Sequence, residues 1–189
     1  MRQLKESRGQ RKQRDEYAVV LDYLPHGYAL EPGLPIIQAI GTASLTLLEL
    51  VPKKGVAIEL KEKVYIGPGK REKIHHIKAR LNPEKITETA KINLEEFIQE
   101  WVNEHEAELV DFFNKAEAIN KRVHQLELLE GFGKKHVEHL LEERSKKPFE
   151  SFSDLKQRIK GLVDPKKAIE KRILKELTEP VRFRLFTIK

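Results

Sequence analysis

The residues best placed to do chemistry in this 189-residue chain are Gly131, Gly133, Lys134 and Lys135, grouped around a single aromatic, Phe132. Gly131 suits a left-handed position that ends one helix, where a Cβ would be penalised. Gly133 lets the backbone come close to a ligand where the next helix, Lys134 to Arg144, begins. The first N–H groups of a helix lack intrahelical partners and carry the positive end of its dipole, so they form a ready site for a phosphate oxygen. Lys134 and Lys135 add charge at the same place. Phe132 is expected in the core, with Val137, Leu140 and Leu141 as the apolar face of the second helix. Such a site positions a phosphate backbone without reading bases, and its grip weakens steeply with salt.

Thirty residues on, Gly161-Leu162-Val163-Asp164-Pro165-Lys166-Lys167 repeats the pattern with changes. Val163 stands where the second glycine would be, one residue is added, and Asp164-Pro165 reads as an N-cap followed by a first-turn proline. An N-cap carboxylate occupies helix-end donors and repels phosphate. Lys166 and Lys167 are therefore candidate phosphate contacts in a hairpin that serves mainly to complete the fold.

Other signals are weaker. Gly67-Pro68-Gly69-Lys70-Arg71 follows an expected strand and offers a basic loop at Lys70 and Arg71, or a plain turn; it lacks the spacing of a nucleotide-hydrolysing phosphate loop. Lys73, His75, His76, Lys78 and Arg80 lie on the next expected strand, and Tyr23, Tyr28 and Tyr65 are aromatics that serve packing or base stacking. The pairs His75/His76 and His136/His139 lack the carboxylates of a metal site. With no cysteine there is no disulfide, thiolate nucleophile or cysteine zinc site. The acids of residues 95 to 111 are spread around a helix rather than gathered as a nuclease cluster. No catalytic residue, metal or cofactor is expected.

The elements that must carry these residues follow from charge and periodicity. Residues 1–82 hold 15 basic and 9 acidic side chains, residues 83–130 hold 5 and 12, and residues 131–189 hold 16 and 9, so two basic ends flank an acidic middle. That asymmetry suits two surfaces for a polyanion, or simply solvated faces. Residues 1–16 carry six Lys or Arg and read as a flexible basic arm. From 17 to 82 short β-rich runs separated by Pro and Gly predict strands Tyr17 to Tyr23, Pro35 to Ile40, Ser44 to Leu50, Val56 to Ile66 and Lys73 to Leu81, which together suit a small OB-like β-barrel. Residues 83–120 read as an acidic helical connector, a short helix from Pro83 to Ala90 and then a longer or kinked one starting at Asn93, with Trp101 in its core. Residues 121–180 read as a helical domain, and 181–189 as a final strand. The fold class is thus α+β.

The segment Leu129-Glu130-Gly131-Phe132-Gly133, followed by Val137 and Leu140, resembles the helix-hairpin-helix motif of DNA repair and DNA uptake proteins. The stretch from Leu141 to Leu155 resembles the linker of its tandem form. From Tyr17-Ala18-Val19-Val20-Leu21-Asp22-Tyr23-Leu24-Pro25 through Leu48-Glu49-Leu50-Val51-Pro52, Val64-Tyr65-Ile66-Gly67 and the hairpin, the chain is similar to an archaeal family of uncharacterised proteins, domain of unknown function 655. That resemblance implies a nucleic-acid-binding protein with an OB-like barrel and a helix-hairpin-helix region, and residues 121–180 read as a tandem helix-hairpin-helix domain. The expectation is a non-catalytic binder of DNA or RNA; the competing expectation is a protein-interaction scaffold in which the hairpins are structural. No apolar run approaches the ~20 residues that cross a bilayer, and the start is charged, so a cytoplasmic protein without membrane contact is expected.

Overall fold

The computed structural model describes residues 15–188. These divide into two compact units, one running to Ala90 and taking in Ile188, the other covering 91–187. The mixed α+β character expected from the sequence holds. Of the basic arm, residues 1–14 lie outside the described residues, and Asp15 and Glu16, just before the first strand, are hydrogen-bonded into the first unit. The Asp15 carboxylate accepts from the N–H of Ala43 at 2.7 Å and of Ser44 at 2.9 Å, and from the Ser44 hydroxyl.

The first unit contains β1 (Tyr17–Leu24), the short hairpin β2 (Gly27–Tyr28) and β3 (Glu31–Pro32), β4 (Ile36–Gly41), β5 (Leu47–Pro52), β6 (Lys63–Tyr65) and β7 (Ile74–Arg80). Five of these strands form one antiparallel sheet in the order β6-β1-β4-β5-β7. Bulges curl it into a half-barrel: Leu21 is the extra residue between Val20 and Asp22, and two register shifts break the β5/β7 ladder. Ala18, Val20, Ile37, Ala39, Leu48, Leu50, Val64, Ile66 and Ile74 fill the curl, with Tyr23 and Ile58 packed against them. Every residue of β4 and β5 is buried, so both faces of these strands are covered. On the face away from the core, the fully buried Gln38 amide donates to the Lys85 carbonyl at 2.7 Å and accepts from the Thr87 N–H at 3.1 Å.

Two boundaries differ from the sequence reading. The strand expected from Val56 to Ile66 is reduced to Lys63–Tyr65, because Lys61 sits at φ 65° and turns the chain out of an extended course. The expected helix from Pro83 to Ala90 is a 3₁₀ turn, Pro83–Lys85, followed by an α-helix that starts five residues before Asn93. Thr87 supplies the cap, its hydroxyl accepting from the Ala90 N–H at 3.1 Å. The start of the expected connector is therefore part of the sheet unit.

Beyond Ala90 the elements are the rest of α1 (Glu88–Glu104), then α2 (Glu106–Lys115), a hairpin of β8 (Ala118–Asn120) and β9 (Val123–His124), a 3₁₀ segment Gln125–Leu128, α3 (Lys134–Lys146), α4 (Phe152–Arg158) and α5 (Pro165–Thr178). The kink expected in the acidic stretch falls at His105, whose ring stacks on Trp101 at 4.1 Å. Phe113 is fully buried and meets Phe132 at 5.7 Å and Phe152 at 6.3 Å between ring centroids. Polar ties fix the loops around these rings. Asn114 donates to the Phe149 carbonyl and accepts from its N–H, at 2.9 and 2.8 Å. Arg144 donates to the Phe113 and Ala116 carbonyls, each at 2.9 Å, placing a cation at the carbonyl end of α2.

The strand expected at 181–189 does not form among residues 181–188; Lys189 lies outside the described residues. Its backbone donors are taken by one side chain instead of a ladder. The fully buried Glu176 carboxylate accepts from the N–H groups of Leu185, Phe186 and Thr187 at 2.7, 3.1 and 3.0 Å, and from Arg172 Nε at 2.7 Å. Among the described residues no helix is long and apolar enough to cross a membrane.

Candidate nucleic-acid interface

Gly131 sits at φ 85° inside a tight turn in which the Phe132 N–H donates to the Leu129 carbonyl at 3.1 Å. The same turn recurs thirty residues later, with Gly161 at φ 76° and the Leu162 N–H donating to the Ile159 carbonyl at 3.3 Å. In both, only glycine takes the left-handed position without strain. The second turn joins two α-helices, α4 and α5. The first does not: a helix was expected before Gly131, and the chain forms only the 3₁₀ segment. The β8/β9 hairpin draws the preceding residues into a ladder, and a helical turn starts only at the His124 cap.

The two turns pack against each other. A Cβ on Gly131 would lie 2.7 and 2.8 Å from the Val163 methyl groups, and one on Gly161 would lie 4.0 Å from His136 Nε2. Val163, where the second turn departs from the glycine pattern, is thus the residue that covers the first turn. Sequence spacing alone did not reveal this role, although the thirty-residue offset between Leu129 and Ile159 is the signal that pairs the turns.

Gly133 is the N-cap of α3, with no side-chain hydrogen bond to the first-turn donors and no acidic residue in that turn. A Cβ there would meet nothing within 4 Å, so the helix end is open. Lys134 and Lys135 are exposed and have no ion-pair partner among the described residues. Phe132 points inward and is buried together with Val137 and Leu140. This is an uncapped, positively charged helix start above buried side chains, with no side-chain cap on its first-turn backbone donors.

The corresponding end of α5 is built oppositely. Asp164 caps it, accepting from the Lys166 N–H at 3.0 Å. The Lys166 ammonium donates to Asn103 at 2.9 Å and lies over the Phe152 ring. Lys167 pairs with Glu170 at 2.8 Å, and that hydrogen bond raises its pKa. These two lysines are drawn into internal contacts. Lys70 and Arg71 lie in the other unit, in the loop between β6 and β7; Lys70 is exposed, and Arg71 Nε donates to the Gly67 carbonyl at 2.9 Å.

The remaining candidates are mostly engaged. Lys73 pairs with Glu62 at 2.6 Å and Lys78 with Glu49 at 3.2 Å. Tyr28 donates to Glu49 at 2.6 Å, and the Tyr65 hydroxyl accepts from the Gly69 N–H at 3.1 Å. His75 and His76 face each other at 2.7 Å between their Nδ1 atoms, and among the described residues no three His, Asp or Glu side chains gather as a metal site.

Residues 14–188 match the family described as protein of unknown function (DUF655). The chain belongs to this family. It is 46% identical over 165 residues to an uncharacterized protein of Methanocaldococcus jannaschii, covering 87% of this chain and 75% of that one. The DUF655 fold is also seen in the crystal structure of Af1531 from Archaeoglobus fulgidus, with a TM-score of 0.80 at 41% identity over 92% of this chain and 100% of that one.

In this DUF655 chain the segment leading into the Gly131 turn starts at a histidine. His124 caps the 3₁₀ segment, its Nδ1 accepting from the Leu126 N–H at 3.2 Å, a role only the neutral ring can fill. Burial, followed by nearby Arg144, lowers its pKa from the ordinary value of 6.5. A folded pKa below the unfolded one means that the unfolded chain takes up the proton first. Stability from this cap is therefore complete above pH 6.5 and is lost as pH falls through the lower folded value. Urea unfolding should show a stability drop below pH 6.5 that is smaller in His124→Asn, which keeps a cap without the titration. Identical pH profiles would remove His124 as its source.

Proposed function

We propose that this DUF655 protein is a non-catalytic nucleic-acid-binding protein that holds the phosphate backbone at the start of α3, largely without regard to sequence. The observation that carries the reading is the contrast between the two helix ends. Gly133 leaves the α3 donors free beside Lys134 and Lys135, while Asp164 fills those of α5 and its lysines are bonded internally. On this reading the two turns are a helix-hairpin-helix pair whose first copy binds and whose second supports it. The half-barrel is a second contact surface of OB type. Such barrels bind oligonucleotides through the faces of their second and third strands and through two loops, one of them between the fourth and fifth strands. Here Lys70 and Arg71 occupy that loop, between β6 and β7.

Affinity measured against salt tests the reading. Lys134→Ala and Lys135→Ala should each lower duplex DNA affinity and flatten the log-log salt slope by about 0.9, the share of one neutralised phosphate. Lys166→Ala and Lys167→Ala should change the slope little. The packing of Val163 over Gly131 favours a second reading, a protein-interaction scaffold whose turns are structural. Absence of binding to duplex DNA, single-stranded DNA and structured RNA at low salt would select it.

A further inference from the structure

The sheet of the first unit is open between its edge strands β6 and β7, and a cavity of about 830 Å³ lies in that unit. Its apolar lining includes Leu48, Ile66, Pro68, Ile77 and Ile188, of which Ile77 and Ile188 are the exposed large side chains, and its charged lining includes Glu16, Arg71 and Arg80. The volume is in the range of small-molecule and cofactor sites, in which an apolar surface carries a few polar groups that fix orientation.

The charged groups differ in what they have left to offer. Asp15 also borders the cavity, but its carboxylate is spent on Ala43 and Ser44. Glu16 uses only its backbone carbonyl, which accepts from the N–H groups of Ile66 and Gly67 at 2.7 and 3.1 Å. Its carboxylate has no partner among the described residues. Arg71 is fixed through Nε to the Gly67 carbonyl at 2.9 Å, which holds the guanidinium in place while its terminal nitrogens remain as donors. Arg80, at the exposed end of β7, has no ion-pair partner among the described residues.

An apolar lining, an acceptor carboxylate and two guanidiniums are complementary to the three parts of one ligand class. A base packs against Ile77 and Ile188; a carboxylate accepts from ribose hydroxyls; guanidiniums bind phosphate oxygens in bidentate fashion. Glu16 and the arginines also set the orientation, since a phosphate beside Glu16 would be repelled. We propose that this cavity binds an unpaired ribonucleotide, with Glu16 on the ribose diol and Arg71 and Arg80 on the phosphate. The proposal rests on the reading of the half-barrel as a contact surface and deepens it: the barrel takes single-stranded RNA, or a free nucleotide with the same three parts, in preference to DNA, because only ribose presents the 2′-hydroxyl.

The test is a titration of the full chain with a labelled single-stranded hexaribonucleotide and its deoxy counterpart, with adenosine 5′-monophosphate as competitor. RNA should bind about tenfold more tightly than DNA, the scale set by one good hydrogen-bonded discrimination. Arg80→Ala should lower RNA affinity about tenfold, and Glu16→Gln should bring RNA and DNA toward equal affinity. Competition by the mononucleotide identifies a free nucleotide as sufficient; competition by unlabelled hexamer alone assigns the site to a chain. Equal RNA and DNA affinity in the unaltered protein overturns the proposal, as does unchanged RNA affinity in Arg80→Ala. Duplex DNA in a parallel titration separates the readings: its loss in Lys134→Ala with hexamer binding retained reports on α3 alone.

Discussion

Gly133→Asp is expected to weaken binding to duplex DNA about tenfold at low salt while leaving the fold as stable as before or more stable by a few tenths of a kcal/mol. The backbone at this position has φ −73° and ψ 166°, an extended conformation open to any residue, and a Cβ has room. An aspartate there would accept from a first-turn N–H of α3, as Asp164 does from Lys166 in α5. It would thus satisfy the donors that a phosphate needs and place a negative charge among them. Gly131 cannot serve the same purpose, because its left-handed φ and the contact with Val163 make any substitution there a test of folding. Fluorescence anisotropy with a labelled duplex and a thermal melt measure the two halves. A well-folded Gly133→Asp variant with unchanged affinity would take the start of α3 out of the interface.

Glu176→Ala should cost about 3–5 kcal/mol of stability, the usual penalty for removing one partner of a buried ion pair. The carboxylate and Arg172 are both buried, so Arg172 would keep its charge without its partner. The loss extends further, since three backbone N–H groups of residues 185–187 would lose their acceptor. Arg172 also donates to the Leu128 carbonyl at 3.3 Å, so the same network reaches the chain just before the Gly131 turn. Replacing both members of the pair by apolar residues, as in Arg172→Met with Glu176→Leu, should recover only part of the loss, because the backbone donors remain unmet. Urea unfolding measures both variants. A single variant within 0.5 kcal/mol of the unaltered chain, a size typical of surface substitutions away from any special contact, would show that the tail is held by other contacts.

What could be read from the sequence was local. The left-handed turn at Gly131, the inward Phe132, the apolar face of α3 and the cap at Asp164 each depend on a few neighbouring residues, and all are found where residue chemistry puts them. Four of the five strands of the main sheet also fall close to their β-rich runs. The misplacements have non-local or conformational causes. Lys61 takes a backbone conformation unusual for its type. The segment before Gly131 is diverted by the β8/β9 pairing, and residues 181–188 have strand-like composition but find a carboxylate rather than a neighbouring strand.

The same division runs through the candidate site. By itself the sequence determined which helix starts are basic and which carries a capping acid, because both properties belong to adjacent residues. Only the tertiary structure decided that Lys166 is drawn to Asn103, sixty-three positions away, while Lys134 and Lys135 stay exposed, and that Val163 covers Gly131. The physical reason is that a free helix end depends on everything that packs near it. Hydrogen bonds and van der Waals contacts act over a few ångströms in space, regardless of distance along the chain.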